Sequence, residues 1–97
     1  MLTSSKMTVA LFVIALSATI ALNAITVVAS PESVVWSGAS GGCVYLIEQP
    51  SNARYRIGCS YSNRLDLDTG VLWEGDLVEV RRPVPSGVLT GRAIVGP

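Results

Sequence analysis

"GGCVYLIEQPSNARYRIGCS", residues 41–60, contains both cysteines of the chain, Cys43 and Cys59, on either side of a turn-like centre. Apolar residues recur at every second position on both sides of that centre, which predicts two strands. The central segment QPSNA, residues 49–53, supplies the proline, serine and asparagine that favour a chain reversal. The stretch therefore predicts a β-hairpin closed by a disulfide and indicates a mainly β domain.

Placing Cys43 opposite Cys59 sets the register of the predicted hairpin, in which Tyr45 faces Ile57 and Ile47 faces Tyr55. One face is apolar and is predicted to lie in the domain core: Cys43, Tyr45, Ile47, Tyr55, Ile57 and Cys59. The other combines aliphatic residues with arginine, as interfaces do, and is predicted to meet a partner: Val44, Leu46, Arg54 and Arg56. The alternative is that a strand at residues 88–95 covers this second face in a closed sandwich.

Both cysteines are predicted to be structural. Directly opposed strand positions bring their Cα atoms within disulfide range. Closing a loop of this size stabilises the fold by about 3 kcal/mol in the chain-entropy model. The spacing of Cys43 and Cys59 also differs from the Cys-x-x-Cys of redox enzymes. A domain this small needs such a cross-link because its core is modest.

The composition excludes several classes of function. The chain of 97 residues has seven basic and seven acidic residues, a formal net charge of +0, and no histidine. A neutral chain has no overall field that attracts nucleic acid. Without histidine it lacks the commonest general base and metal ligand, and two cysteines cannot complete a four-ligand zinc site. We therefore expect no nucleic-acid partner, no metal, no cofactor and no catalytic residue.

Residues 7–29, MTVALFVIALSATIALNAITVVA, form an uncharged apolar run of 23 residues. As a helix this run would extend about 34 Å, enough to cross the hydrocarbon core of a bilayer. Lys6 precedes it, which predicts a membrane anchor with residues 1–6 in the cytoplasm. The alternative is a secretory signal peptide cleaved after Ala29. Both interpretations place the remainder outside the cytoplasm.

Small and weakly polar residues recur at helical spacing within this run: Ala15, Thr19, Asn23 and Thr26. In lipid, such stripes let helices approach closely and share hydrogen bonds. We therefore expect this face to pack on another membrane helix. The alternative is that these residue types are simply common in membrane segments and signal peptides.

Residues 30–42 are expected to be a flexible glycine- and serine-rich linker that includes a short strand at residues 33–36, with Trp36 in the core. Residues 43–97 are expected to form the domain. A turn is predicted at Glu74–Gly75. Strands beyond the hairpin are predicted at residues 71–73, 76–82 and 88–95. These short strands, without a second helix, predict a small five-stranded barrel or two-layer sandwich.

Two short motifs lack the context that their chemistry requires. Asp68-Thr69-Gly70 matches the Asp-Thr-Gly signature of aspartic proteases, but only 27 residues follow it, too few for the rest of such a fold. Asp66, Asp68 and Gly70 match part of a calcium loop, but the bidentate glutamate is missing. We therefore expect a solvated turn at this position.

Six arginines follow the linker, and six acidic residues share the same region, so we expect a mixed surface rather than a patch for phosphates or lipid headgroups. The arginines are Arg54, Arg56, Arg64, Arg81, Arg82 and Arg92. The acidic residues are Glu48, Asp66, Asp68, Glu74, Asp76 and Glu79.

Together these observations predict a membrane-anchored, non-catalytic structural or interaction protein of a cell envelope or virion-type assembly. Its partners are expected to be the membrane and other protein subunits, with the amino terminus inside and the β domain outside. The alternative is a small secreted binder, such as an inhibitor or adhesin-like module, released by cleavage after Ala29.

Overall fold

The computed structural model describes residues 25–97, which form seven β-strands in two antiparallel sheets. The three-stranded sheet has the order β1-β2-β5 and consists of β1 (Thr26–Ala29), β2 (Ser33–Ser37) and β5 (Arg64–Asp66). The four-stranded sheet has the order β4-β3-β6-β7 and consists of β3 (Gly42–Ile47), β4 (Arg54–Ser60), β6 (Leu77–Val84) and β7 (Gly87–Ile94). Among residues 25–97, no helix has the length and apolar character that crossing a bilayer requires.

The mainly β class is confirmed, whereas the five-stranded count and the barrel alternative are wrong. Strands β1 and β5 add to the predicted set. Strands β1 and β7 approach each other along one side, where the Ile25 amide donates to the Thr90 carbonyl at 2.7 Å and the Gly96 amide donates to the Ala29 carbonyl at 2.9 Å. These bonds do not form a continuous ladder, so the two sheets remain separate.

The core lies between the sheets. Alternate residues of each strand point into it, as the pleat requires. The buried cluster consists of Ile25, Ala29, Val34, Trp36, Val44, Leu72, Val78, Val80 and Val95. The prediction that Trp36 is a core residue is confirmed, and its indole Nε1 donates to the Gly41 carbonyl at 3.3 Å.

Gly91 sets how closely β1 approaches β7. A Cβ atom at this position would overlap the Ile25 carbonyl oxygen, which belongs to the rigid backbone. The close approach lets the Ile25 amide reach the Thr90 carbonyl. Gly91 therefore allows the start of the three-stranded sheet to lie against the four-stranded one.

The predicted amino-terminal helix cannot extend to Ala29. Strand β1 occupies residues 26–29, and Ile25 and Ala29 are buried in the core. Thr26 is exposed on β1 and is therefore not part of a helical stripe. The other stripe residues, Ala15, Thr19 and Asn23, lie with the rest of residues 1–24 outside the described residues.

The glycine- and serine-rich stretch that follows β2 is held in place by side chains from distant parts of the chain. Asn63 Nδ2 donates to the Ala39 carbonyl at 2.6 Å, and Arg82 Nη1 donates to the Ser40 carbonyl at 2.7 Å. These bonds join the stretch predicted as a linker to the domain, and the short strand predicted at residues 33–36 is present as β2. Strands β1 and β2 supply core residues, so residues 25–42 pack together with the domain predicted at residues 43–97.

The later part of the chain agrees with the predictions in part. The Glu74–Gly75 turn is confirmed: Gly75 has a φ of 95°, and the Asp76 amide donates to the Trp73 carbonyl at 3.1 Å. The predicted strand at residues 71–73 is wrong, because this stretch pairs with no other strand. Its residue Leu72 is buried in the core. Strands β6 and β7 match the last two predicted strands within two residues at each end.

Candidate functional site

The disulfide between Cys43 and Cys59 is confirmed. The two residues face each other across β3 and β4, with a Cα–Cα distance of 4.0 Å. The bond joins positions 16 residues apart in sequence and closes the hairpin at the end away from its turn. It therefore supports a structural role for both cysteines, and residues 25–97 contain no free cysteine.

The predicted register of the hairpin holds only as far as Val44. A β-bulge between Val44 and Tyr45 leaves Ile57 without a partner on β3. Beyond it Tyr45 faces Arg56 and Ile47 faces Arg54, so the predicted pairs of Tyr45 with Ile57 and of Ile47 with Tyr55 are wrong. Because one extra residue reverses the alternation of side chains, the bulge exchanges the two faces of the rest of β4.

The bulge redistributes the residues of the predicted apolar face. Ile57 packs against the core, but Tyr55 is 51% exposed, and its hydroxyl donates to Glu48 Oε2 at 3.2 Å. Repulsion by the Glu48 carboxylate is the main cause that raises the pKa of Tyr55. Ile47 is only 3% exposed, yet it lies on the side of the sheet opposite the main core. The predicted apolar face is therefore not a single surface.

The predicted partner face is divided in the same way. Val44 is fully buried in the core and Leu46 packs against it, whereas Arg54 and Arg56 are exposed on the other side of the sheet. The assumption that these four residues share one face is wrong, because it ignored the bulge. Only the two arginines remain available to a partner on this surface.

The outer side of the four-stranded sheet, which we call the arginine face, consists of three rows of residues paired across the strands. The central row is Arg56, Tyr45, Glu79 and Arg92. The row towards the disulfide is Cys59, Cys43, Arg81 and Thr90. The row towards the hairpin turn is Arg54, Ile47, Leu77 and Ile94. The register thus brings four arginines, scattered in sequence, onto one surface.

Glu79 lies at the centre of the arginine face and accepts hydrogen bonds from three arginines. Arg54 Nε lies 2.6 Å and Arg81 Nη1 lies 3.2 Å from Oε1, and Arg92 Nε lies 2.9 Å from Oε2. Glu79 is only 3% exposed, although it does not point into the main core. The arginine side chains therefore cover the carboxylate and satisfy both of its oxygens.

The charges of this face do not balance. Burial acts to raise the pKa of Glu79, but the hydrogen bonds from Arg54, Arg92 and Arg81 outweigh it, so the pKa lies below its ordinary value. Glu79 is thus ionised near neutral pH. One carboxylate against four guanidinium groups leaves a net charge of +3 on the three rows. Arg56 takes part in no ion pair among residues 25–97.

Glu79 was the main residue that the sequence analysis missed as a site. The segment LVEVR, residues 77–81, does carry a signal, because strict alternation separates Glu79 and Arg81 from the valines on either side of Glu79. That pattern predicts an outward glutamate beside an outward arginine. It does not reveal which residues of other strands lie next to them.

The acidic motifs at residues 66–70 lie apart from the arginine face, at the end of β5 and in the segment that follows it. Asp66 forms an exposed ion pair with Arg64, with 2.7 Å between Oδ1 and Nε. Asp68 is exposed, and Gly70 has a φ of 90° in a turn, which agrees with the expected solvated turn. Within residues 25–97, no cluster of three or more histidine, cysteine, aspartate or glutamate residues is arranged to hold a metal ion.

Comparison of the sequence with protein-family models and with curated proteins, and of the structure with solved structures, finds no match.

Proposed function

We propose that this chain is a non-catalytic structural or interaction protein, anchored at a membrane by its apolar amino-terminal segment, with a β domain outside the cytoplasm that docks a partner subunit. The observation that carries the proposal is the arginine face, where three guanidinium groups surround one buried carboxylate and Arg56 forms no ion pair with any described residue. Arginine in a setting of aromatic and aliphatic residues is typical of protein interfaces. Tyr45, Leu77 and Ile94 provide that setting here.

Two features support an outward-facing domain. A structural disulfide such as Cys43–Cys59 persists in oxidising compartments and is rare in the cytosol. Lys6 precedes the apolar segment, and positive residues favour the cytoplasmic side of a membrane segment. Both features are consistent with export of residues 25–97.

A non-catalytic role is supported by the state of the groups that usually carry chemistry. The chain has no histidine, and both of its cysteines form the disulfide. Glu79 is the buried carboxylate of the described domain, but its lowered pKa makes it a weak base near neutral pH. Both of its carboxylate oxygens already accept hydrogen bonds from arginines, so neither is free to accept a proton from a substrate.

A second candidate is a small secreted binder, and strand β1 favours it. Because Ile25 is buried in the core and β1 occupies residues 26–29, the uncharged run that precedes them is residues 7–24. A helix of that length would extend about 27 Å, close to the lower limit for crossing a bilayer. Cleavage after Ala29 would remove β1 and two core residues, so processing of a secreted form has to occur before Ile25.

The proposal is tested by a charge reversal that spares the core. Arg56→Glu in the full-length, affinity-tagged chain should leave the domain folded, because this side chain is exposed and forms no ion pair among the described residues. It should abolish co-purification of the partner from the native membrane fraction. The matched control is Arg64→Glu, which makes the same charge change on the three-stranded sheet.

Partner recovery that is equal for wild type, Arg56→Glu and Arg64→Glu would contradict docking on the arginine face. Loss of the partner with both variants would indicate a general charge effect and would also contradict the proposal. Circular dichroism of each purified variant establishes that the domain is folded.

A further inference from the structure

The ten residues between β5 and β6, residues 67–76, form an acidic loop. It contains three carboxylates, Asp68, Glu74 and Asp76, and no basic residue, so its charge is −3. None of these carboxylates joins an ion pair among residues 25–97. Trp73 lies beside them with 68% of its surface exposed. The loop therefore presents negative charge that no basic side chain of residues 25–97 neutralises, next to a large exposed aromatic side chain.

The acidic loop is held in one conformation by the body of the domain. The Gly75 amide donates to the Val95 carbonyl, and the Val95 amide donates to the Asp76 carbonyl, both at 2.8 Å. Asp76 Oδ2 accepts a bond from the Trp73 amide at 2.9 Å, and Leu72 is buried in the core. Because the loop is already ordered, little conformational entropy is lost when it binds a partner.

We propose that the acidic loop of one copy of this chain docks on the arginine face of a second copy. This inference rests on the proposed function, since it identifies the partner subunit as another copy. The loop charge of −3 is complementary to the net +3 of the arginine face. Exposed tryptophan on one surface and arginine on the other are the residue types that dominate binding energy at interfaces.

The loop and the face adjoin each other, because Gly75 and Asp76 line the same surface depression as Leu77 and Ile94 of the face. In a closed dimer, each copy docks its loop on the face of the other copy; in a ring or an open chain, the second loop and face bind further copies. Two arginine faces do not pair directly, because their positive charges repel. The size of the assembly in sedimentation velocity distinguishes a closed dimer from a ring or chain.

The chemistry of the face also favours a protein occupant over a polyphosphate or a lipid surface. Glu79 places a fixed negative charge in the middle of the arginines. That charge repels a dense anion such as a polyphosphate, whereas separate carboxylates of a protein can each bind an arginine at the edge of the face. Val88 and Ile94 of β7 are exposed on the same side of the sheet and provide apolar contact area.

The test is a mixing experiment with the full-length chain in mild detergent, followed by sedimentation velocity. Two variants are used, Arg56→Glu, which alters the face, and Glu74→Arg, which alters the loop. Each alone should self-associate at least about tenfold more weakly than wild type, because one docking surface has lost its charge complement. An equal mixture should associate again, because the intact loop of the first variant meets the intact face of the second.

The controls are Arg64→Glu and Glu32→Arg, which repeat the same charge changes at exposed positions outside the two surfaces and should associate like wild type. Wild-type association should also weaken when the salt concentration rises from about 0.05 to 0.5 M, because salt screens exposed charges. Unchanged association of both variants, or failure of the mixture to recover, would overturn the proposal.

Absence of wild-type self-association at low salt would also overturn the inference. The proposed function is judged separately by whether Arg56→Glu abolishes recovery of any partner, an untagged copy or a different protein, from the membrane fraction. If that recovery is abolished while the chain does not self-associate, the arginine face docks another partner and only the self-docking inference fails. If neither effect is seen, both proposals fail.

Discussion

Arg54 and Glu79 are joined by a 2.6 Å hydrogen bond between Nε and Oε1, although they lie on β4 and β6 with β3 between them. To reach Glu79, the Arg54 side chain has to cross β3, whose outward residue Ile47 faces Arg54 in the ladder. This crossing accounts for the near-complete burial of Ile47 outside the main core. The contact exists because the bulge at Ile57 turns Arg54 to the outer side of the sheet.

Replacing Glu79 should destabilise the domain. Glu79→Gln keeps the shape of the side chain but removes the charge that three arginines share. We expect a loss of about 1–3 kcal/mol in the free energy of unfolding, the range for losing hydrogen bonds to a buried charged group. Urea denaturation measures it. The control is Glu48→Gln on the exposed hairpin turn, which should change stability by less than about 0.5 kcal/mol; an equal loss for both variants would contradict the role of Glu79.

The stability that Glu79 contributes should depend on pH. Its pKa in the folded protein lies below the ordinary value of 4.5. The contribution is therefore fully present above about pH 4.5 and is lost as the pH falls through the folded pKa. The difference in Tm between wild type and Glu79→Gln should shrink below that pH. Thermal unfolding across the acid range tests this, and a constant difference down to the lowest pH would show that the arginines do not lower the pKa.

Gly91→Ala should separate β1 from β7. The added methyl group would overlap the Ile25 carbonyl oxygen, and backbone cannot turn aside as a side chain can. We expect a loss of about 3 kcal/mol or more in the free energy of unfolding, the upper end for overpacking. The control is Gly58→Ala, whose Cβ would meet Leu65 Cδ2 at 3.0 Å, a movable side-chain end. Denaturation of both variants measures the difference, and a smaller loss for Gly91→Ala than for Gly58→Ala would refute the assigned close approach.

The disulfide should contribute to stability and should be present in the native protein. The double variant Cys43→Ser/Cys59→Ser should lose about 2–4 kcal/mol in the free energy of unfolding, because the cross-link restricts the unfolded chain. Non-reducing mass spectrometry of protein from its native compartment should show a mass two hydrogens below that of the dithiol. Free thiols in that material would contradict both the disulfide and the outward orientation.

The mature chain should retain Ile25–Ala29 whether or not the preceding segment is removed. These residues supply β1 and two buried core side chains, so a chain that begins at Ser30 should unfold at a markedly lower temperature. Intact-mass measurement and amino-terminal sequencing of the native protein test the boundary. Retention of residues 7–24 would support the anchor, and an amino terminus at or shortly before Ile25 would support secretion. A natural amino terminus at Ser30 would contradict the role of β1.

Features that depend on near neighbours could be predicted from the sequence. The Cys43–Cys59 bond, the hairpin between them, the Glu74–Gly75 turn and the burial of Trp36 all follow from local spacing, turn chemistry and residue size. Such signals act over a few residues or through one strong pairing. These features can therefore be predicted without knowing the rest of the fold.

The arginine face depends on contacts between strands that cannot be predicted from the spacing of residues in the sequence. The bulge adds Ile57 to β4, and no feature of the composition marks it. It places Arg54 and Arg56 on the outer side of the sheet, opposite to Val44 and Leu46. The segment TVVA, residues 26–29, is as apolar as the run before it, and only its pairing with β2 identifies it as a strand. Glu79 gathers arginines from three strands because strand order and register place them side by side. Strand order and register are set when the two sheets bury their shared core, so they become defined only in the folded domain.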